Sequence, residues 1–285
     1  MKYKLGLMLA AVLTMSLPAQ AEETAEEYGW RAKLNKASLE LTSTEVKNAR
    51  EYRNSPNSRL NSDSEDVTKG VLDFAMEYNQ PEYLWTNSVF AEYGKTKLKP
   101  VDGPDVISEN SDKILLSTDY ARKVWRYWDA DVGPFVNLAY QTEFEPNDNA
   151  PRTKIIRGMA GIKMFEGPYI KSLYAAGFGE YDFTYSDEVT KYGAEIGLKA
   201  EYPLREGVKF DVDTYLREYI DYSRYQATDF KYEFDFTGRM MVDIYKNFAF
   251  GPYIEYFRAK DRGSDKYGSS TIIGVAVDYS GMWNL

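Results

Sequence analysis

The sequence contains no cysteine and no histidine among its 285 residues. Without cysteine, neither a disulfide nor a thiolate metal site can stabilise the fold. Without histidine, hydrolysis through a Ser–His or Asp–His arrangement is excluded. Beyond the N-terminal region, no segment is apolar over the ~20 residues that a membrane helix needs. The chain is therefore not a disulfide scaffold, a histidine-dependent hydrolase or a helical membrane protein.

Aromatic residues and acids are abundant: 25 Tyr, 14 Phe and 5 Trp, with a formal net charge of −9. Strong net acidity argues against nucleic acid as a partner. The oxygen-rich stretch from Glu143 to Asn149 lacks the spacing of an EF-hand, so we interpret it as a polar loop. We expect no metal site and no cofactor.

The N-terminal region has the layout of an export signal. Lys2 and Lys4 precede an apolar run over residues 5–17, and Ala19-Gln20-Ala21 follows Pro18. This pattern predicts a signal peptide over residues 1–21, cleaved after Ala21. The alternative, a membrane anchor, is disfavoured because the run is shorter than the ~20 residues of a spanning helix. Residues 22–27 then form a short acidic leader, and residues 28–285 form one domain.

The last segment, Ser269 to Leu285, alternates apolar or small residues with a mixed and more polar set. Because strand side chains alternate between two faces, one face is apolar up to the final residue. This pattern is typical of the closing strand of an outer-membrane barrel, which the barrel-assembly machinery recognises. Leu285 stands where such signals usually end in Phe.

Twelve segments of the chain alternate in this way, and one from Phe230 to Ile244 shows the alternation most clearly. The segment over residues 28–46 changes parity, which predicts a β-bulge near Lys36. The connections after even-numbered segments are short. The stretches Asn48–Asp66 and Leu98–Asp112 are predicted to be long outer loops. These features predict an all-β, single transmembrane, antiparallel up-and-down barrel of about twelve strands, with both termini periplasmic. A soluble sandwich or barrel is the alternative.

The tryptophans agree with this topology, although the parity was assigned without them. All five fall at the predicted periplasmic end of a strand, as expected for an aromatic girdle at one membrane interface. They are Trp30, Trp85, Trp125, Trp128 and Trp283.

The face opposite the apolar one is heavily charged and is predicted to line the interior of the barrel. Bases and acids alternate along adjacent strands, so many can pair across the sheet. The candidate pore-lining residues are Arg157, Lys163, Glu180, Lys191, Glu195, Lys199, Lys209, Asp211, Asp213, Arg217, Lys231, Glu233, Asp235, Arg239 and Glu255. No faces are assigned for the segment over residues 113–128, where both parities carry charge.

Two interpretations of this charged face remain open. The side chains either line a water-filled pore that selects solutes by charge, or interlock and plug a narrow barrel. A histidine-independent hydrolase using paired carboxylates such as Asp211 and Asp213 is a distant third, because any charged lumen brings carboxylates together by chance.

The stretches Asp229–Phe236 and Asn247–Glu255, with Pro252-Tyr253-Ile254-Glu255, resemble the end of twelve-stranded monomeric porins of the oligogalacturonate-channel type. The chain is also similar in layout to outer-membrane barrel families with no assigned function. The porin resemblance implies a pore with a basic wall for acidic sugars. Its candidates here are Arg157, Lys163, Lys191, Lys199, Lys209, Arg217, Lys231 and Arg239.

The predicted function is therefore passive diffusion of small hydrophilic solutes through a charged outer-membrane channel. The alternative is a closed barrel that binds a surface partner through its outer loops. Expected partners are outer-membrane lipid and lipopolysaccharide, the assembly machinery and an unidentified small solute.

Overall fold

The computed structural model describes residues 28–52, 55, 59–60, 64–99, 106–145 and 151–285. The predicted signal peptide (residues 1–21) and acidic leader (22–27) lie outside the described residues, as do parts of the predicted loops. Among the described residues, no helix is long and apolar enough to cross a membrane.

The described residues form thirteen strands, and every pairing between them is antiparallel. Their bounds are β1 Gly29–Lys47, β2 Ser64–Asn79, β3 Tyr83–Lys99, β4 Val106–Arg122, β5 Trp125–Tyr127, β6 Ala130–Thr142, β7 Ile155–Phe165, β8 Ile170–Asp182, β9 Val189–Arg205, β10 Val208–Tyr222, β11 Phe230–Tyr245, β12 Phe248–Asp261 and β13 Gly268–Asn284.

The sheet closes on itself, since β1 pairs with β13 and β4 pairs with β6. The three-residue strand β5 continues β4 after a break at Lys123 and Val124, and both strands pair with β6. The wall of the barrel therefore has twelve positions, filled in chain order. The predicted all-β, up-and-down barrel of about twelve strands is confirmed.

The predicted bulge in the first strand is confirmed. Register shifts between Leu34 and Ala37 in the pairing with β13, and between Leu34 and Lys36 in the pairing with β2. An extra residue moves the following side chains to the other face of the strand. Leu34 and Leu39 can therefore both belong to the outer surface despite their opposite parity.

The predicted bounds of the loop Leu98–Asp112 are wrong, and residues 100–105 lie outside the described residues. β3 continues to Lys99 and β4 begins at Val106, with Lys97 opposite Ile107 and Leu98 opposite Val106. Likewise, β2 begins at Ser64, inside the predicted loop Asn48–Asp66. The backbone pairing therefore continues beyond the residues whose apolar alternation is visible in the sequence.

The outer surface of the barrel is apolar. Leu39, Leu138, Ile196 and Ile273 each expose at least half of their area. A continuous band of such side chains would not be stable in water, whereas in lipid it is the expected outer face of a spanning barrel. With the polar interior described below, this makes the chain a transmembrane β-barrel of the outer-membrane type.

The two ends of the barrel differ. The connections after β2, β5, β7, β9 and β11 are short, and we call their side, which also holds Tyr28 and Leu285, the short-turn end; the opposite side is the long-loop end. The structure places all five tryptophans at the short-turn end. Trp30 and Trp85 both lie opposite Tyr78, with their ring centroids 6.0 Å apart, and Trp283 lies opposite Ala32.

Candidate functional site in the barrel interior

The middle of the interior holds a network of ion pairs that cross between strands that are not neighbours. Glu40 on β1 is fully buried. It accepts hydrogen bonds from Arg239 on β11 and from the Tyr253 hydroxyl on β12, the latter at 3.1 Å. Lys69 on β2 lies 3.2 Å from Glu40 and 3.3 Å from Glu255 on β12. We call Glu40, Lys69, Arg239, Tyr253 and Glu255 the central network.

A second set of ion pairs runs along the wall formed by β7 to β11. Arg217 lies 2.5 Å from Glu195 on one neighbouring strand and 2.6 Å from Glu233 on the other. Glu180 pairs in the same way with Arg157 and with Lys191. These are ladder pairs between adjacent strands, as the sequence pattern predicted.

The described residues of the β1–β2 connection include side chains that pack inside the barrel near the long-loop end. The Tyr52 and Leu60 side chains are fully buried against Phe257 on the inner face of β12. The Tyr52 hydroxyl donates a 2.7 Å hydrogen bond to the carbonyl of Lys266. Arg59 reaches Asp235 on β11 at 2.7 Å and stacks over the Phe257 ring at 4.5 Å.

Part of the short-turn end is closed by an apolar cluster. Phe165 is buried with Leu84 and Phe135, and their strands β7, β3 and β6 lie on the same side of the barrel. The following residue, Glu166, has a positive φ of 59° and directs its carboxylate into the interior. There it meets Arg31 at 2.6 Å and Lys33 at 3.7 Å, both on β1.

The charge of Glu166 is stabilised by this arrangement. Burial alone would raise the pKa of this carboxyl, but Lys33 and Arg31 more than offset that effect and hold the pKa below its usual range. Glu166 is therefore ionised at neutral pH and acts as a fixed anion between two cations.

The opposite side of the short-turn end is open to water. Lys199 on β9 and Asp213 on β10 form a 3.2 Å ion pair, and their side chains are 57% and 53% exposed. They share the inward face with the buried Glu195 and Arg217 of the same strands, so the water they contact lies within the barrel. Lys209 and Glu201 form a similar pair at 3.0 Å.

Lys113 on β4 was not predicted, because the faces of its segment could not be assigned from the sequence. It shares the inward face with Asp119, which pairs with Lys163 at 2.9 Å. Within the part of the chain that the structure describes, no carboxylate lies within ion-pair distance of Lys113. Its ammonium instead lies 5.6 Å from the centre of the Phe90 ring.

The predicted pore-lining residues share the inward face, with one exception. Those that the structure turns inward are Arg157, Lys163, Glu180, Lys191, Glu195, Lys199, Lys209, Asp211, Asp213, Arg217, Glu233, Asp235, Arg239 and Glu255. They do not form one site, since some belong to the buried ion pairs and others to the open side.

Lys231 is the exception, and its predicted inward position is corrected. The pairing of β11 with β12 shifts register between Phe230 and Tyr232. This bulge turns Phe230 inward, onto the buried Phe257, although the sequence pattern had placed it on the apolar outer face. Lys231 is exposed beside Tyr232 and Leu216 on the outer surface.

No metal centre is apparent in the described portion of the chain, because it contains no group of three or more acidic side chains suited to hold an ion. The paired carboxylates considered from the sequence also have cationic neighbours. Asp213 contacts Lys199, and Asp211 lies 3.8 Å from Lys209.

One solved structure among the comparisons with known proteins supports the barrel architecture. Residues 61–147 match the model of a family described as "Protein of unknown function (DUF3078)". No curated protein matches the chain. Among solved structures, an outer membrane channel from Pseudomonas putida F1 is 11% identical, with a TM-score of 0.50 over 93% of this chain and 100% of that one.

Two further solved structures are similar at lower scores. The outer membrane channel DcaP of Acinetobacter baumannii has 7% identity and a TM-score of 0.42, over 92% of this chain and 100% of that one. A NanC porin has 14% identity and a TM-score of 0.39, over 83% and 98%. The likeness to the Pseudomonas channel supports the fold, namely a closed outer-membrane barrel.

Proposed function

We propose that the protein is an outer-membrane channel for passive diffusion of small hydrophilic, charged solutes, with both termini in the periplasm. The observation that carries this proposal is the Lys199–Asp213 pair, whose side chains face inward and are about half exposed to water. A barrel filled with side chains at this level would leave such a pair buried.

The burial of the inward side chains differs between the two sides of the barrel centre. The central network lies on the side of β1, β2, β11 and β12, and Glu40 and Glu255 are buried there. On the other side, the inward residues Lys113, Ser117 and Arg157 are only partly buried. The proposed path therefore enters beside β9 and β10 at the short-turn end and passes the centre along β3 to β7.

The lining favours charged or strongly polar solutes without favouring acidic sugars. Seven of the eight residues of the proposed basic wall contact a carboxylate: Arg157, Lys163, Lys191, Lys199, Lys209, Arg217 and Arg239. The eighth, Lys231, lies on the outer surface. A wall of alternating signs orients a dipolar or ionic solute but does not concentrate a polyanion.

Single-channel recording tests this proposal. The protein, refolded without residues 1–21, is inserted in a planar lipid bilayer under a salt gradient, and its folding is checked by its heat-modifiable gel mobility. Discrete, reproducible current steps with a defined reversal potential are expected. A folded protein that gives no steps would overturn the channel.

The second candidate is a closed barrel that binds a surface partner at its long-loop end. The inward side chains of Tyr52 and Leu60 and the buried central network favour it, because both narrow the interior. Folded protein that gives no current steps in the bilayer would support this candidate.

For both candidate functions, we propose that β13 directs assembly into the outer membrane. We also propose that the chain is not an enzyme.

A further inference from the structure

The outer wall of the barrel carries a basic groove near the long-loop end. The groove holds about 590 Å³. It is lined by Leu216, Glu218, Lys231, Tyr232, Arg258, Lys260, Asp265 and Tyr267. These residues come from β10, β11, β12 and the β12–β13 connection, so three strands and one loop meet there. We call this feature the outer basic groove.

The residues of the groove change from apolar to charged toward the long-loop end. In one row across the three strands, Leu216 lies opposite Phe234, which lies opposite Arg258. In the next row toward the long loops, Tyr232 lies between Glu218 and Lys260. This change from apolar to charged residues matches a lipid–water boundary, where acyl chains lie on the membrane side and headgroups lie on the water side.

The three cations of the groove do not form ion pairs with the described residues. Within the part of the chain that the structure describes, no carboxylate lies within ion-pair distance of Lys231, Arg258 or Lys260. Most cations of the interior, in contrast, have such a partner. Glu218 and Asp265 line the same groove, so its net charge is +1.

Arg258 is positioned by two aromatic side chains. Its guanidinium stacks on the Tyr267 ring at 3.8 Å and lies 5.9 Å from the Tyr232 ring. Its Nε is buried and has no hydrogen-bond partner among the described atoms. A planar guanidinium fixed by aromatic rings is well suited to bind a phosphate through paired N–H groups.

The bulge in β11 completes the groove. A regular strand would direct Lys231 into the interior; the register shift between Phe230 and Tyr232 places it outside instead. The outward turn of a lysine is costly in hydrocarbon but favourable among anionic headgroups.

We propose that the outer basic groove binds the phosphorylated headgroup of an outer-leaflet glycolipid of the lipid A type. Arg258, Lys260 and Lys231 would contact the phosphates, while Leu216 and Phe234 would contact the acyl chains below them. This inference rests on the proposed orientation, which places the long-loop end at the outer leaflet. It does not depend on whether the barrel conducts.

Native mass spectrometry of the full refolded barrel in detergent tests the proposal. The probes are bisphosphorylated lipid A and the same lipid after enzymatic removal of both phosphates. We expect the phosphorylated form to bind at least tenfold more tightly, since ion-paired hydrogen bonds contribute more than neutral ones. The variant K231Q/R258Q/K260Q should lose that tenfold preference.

Two controls make the outcome specific. The variant R122Q/K171Q/R205Q removes three exposed cations at the short-turn end and should bind lipid A as the unmodified protein does. Inorganic phosphate in millimolar excess should not displace the lipid; full displacement would show a site for free anions and overturn the proposal. Equal binding of both lipid forms, or full binding by the groove variant, would also overturn it. The conductance measurement is separate, so failure here leaves the channel proposal intact.

Discussion

Arg31 and Glu166 form a 2.6 Å ion pair although they lie on opposite sides of the barrel. Arg31 is on β1, and Glu166 follows β7, which is about half-way round the wall. Lys33 and Glu77 extend the contact at 2.8 Å along the β1–β2 side. The short β7–β8 turn therefore closes part of the mouth at the short-turn end, leaving the region beside Lys199 open.

The Glu166 pair predicts a pH-dependent contribution to stability. Replacing Glu166 by Gln should lower the free energy of unfolding at pH 7 by about 1.5–3 kcal/mol, the range for a hydrogen bond to a charged group. Burial raises the pKa of Glu166, but Lys33 and Arg31 outweigh burial, so this pKa is lowered in the folded state. The ionised carboxylate therefore contributes its full share of the free energy of unfolding above the ordinary glutamate pKa of ~4.3. This contribution is lost as the pH falls through the folded-state value.

Urea unfolding in lipid vesicles, followed by gel mobility at several pH values, measures this difference. The unmodified protein and E166Q should differ by a constant amount between pH 6 and 8, and the difference should disappear as the pH falls below ~4.3 and through the lowered folded-state pKa of Glu166. A difference that persists at the lowest pH would contradict the assignment to the carboxylate charge.

The contacts of Arg59 lead us to expect that this side chain anchors the β1–β2 connection to the inner face of the barrel. The variant R59A removes the 2.7 Å contact with Asp235 and the stacking on Phe257. We expect faster cleavage of this connection by an added protease and, if the barrel conducts, a larger or noisier single-channel current. Arg50 is exposed in the same connection, so R50A is the matched control and should change neither property. Equal behaviour of the two variants would mean that Arg59 is not the anchor.

The central network and the open side predict very different costs for removing one carboxylate. Glu40 is fully buried among Lys69, Arg239 and Tyr253, so E40A removes the buried anion that two cations share and should destabilise the barrel by about 3–5 kcal/mol. Asp213 forms an exposed pair, so D213A should cost about 0–1 kcal/mol. Denaturant unfolding of both variants in vesicles provides the test, and similar values for the two would contradict the described burial.

Much of the barrel wall was predictable from the sequence. Period-two alternation involves only residues that are neighbours along one strand, and contact with lipid requires apolar side chains on one face of that strand. The face of Leu138 or Ile196 can be read from its neighbours along one strand. The segment that contains Lys113 is different, because both its parities carry charge over residues 113–128. The structure divides it into β4 and β5 at Lys123 and Val124, so a single alternation does not run along its whole length. The strand extensions to Lys99 and from Val106 were missed because no regular apolar alternation marks residues 98–112 in the sequence.

The contacts that shape the interior were less predictable. The Arg31–Glu166 and Arg59–Asp235 pairs join residues 135 and 176 positions apart, and they follow from how the barrel closes rather than from any strand pattern. The bulge at Lys231 was also missed. It adds one residue to β11, and only the inward packing of Phe230 against Phe257 shows why the strand changes face there.

The position of Lys113 leads to a prediction about the preference of the proposed channel for anions or cations. Lys113 is the inward cation of β4 that has no carboxylate at ion-pair distance within the described residues, so a passing anion can contact it. One unit charge at ~4 Å in water is worth about 1 kcal/mol, or roughly fivefold in a permeability ratio. K113Q should therefore shift the reversal potential under a salt gradient toward cation preference, and K113E should shift it further. K199Q, in the wider open side, should have a smaller effect because water screens its charge.

The assignment of faces predicts opposite outcomes for two adjacent residues on β6. Leu138 is 55% exposed on the outer surface, whereas Asn137 faces inward and lies 3.5 Å from Asp119. An arginine on the lipid face of a barrel costs about 2–4 kcal/mol near the middle of the membrane, so L138R should unfold at a clearly lower urea concentration. N137R places the same side chain beside a carboxylate in a hydrated interior, so its stability should change by at most ~1 kcal/mol. Its single-channel current should fall, because the larger side chain narrows the proposed path. If N137R were instead the less stable of the two, the inward and outward faces of this part of the wall would have to be exchanged.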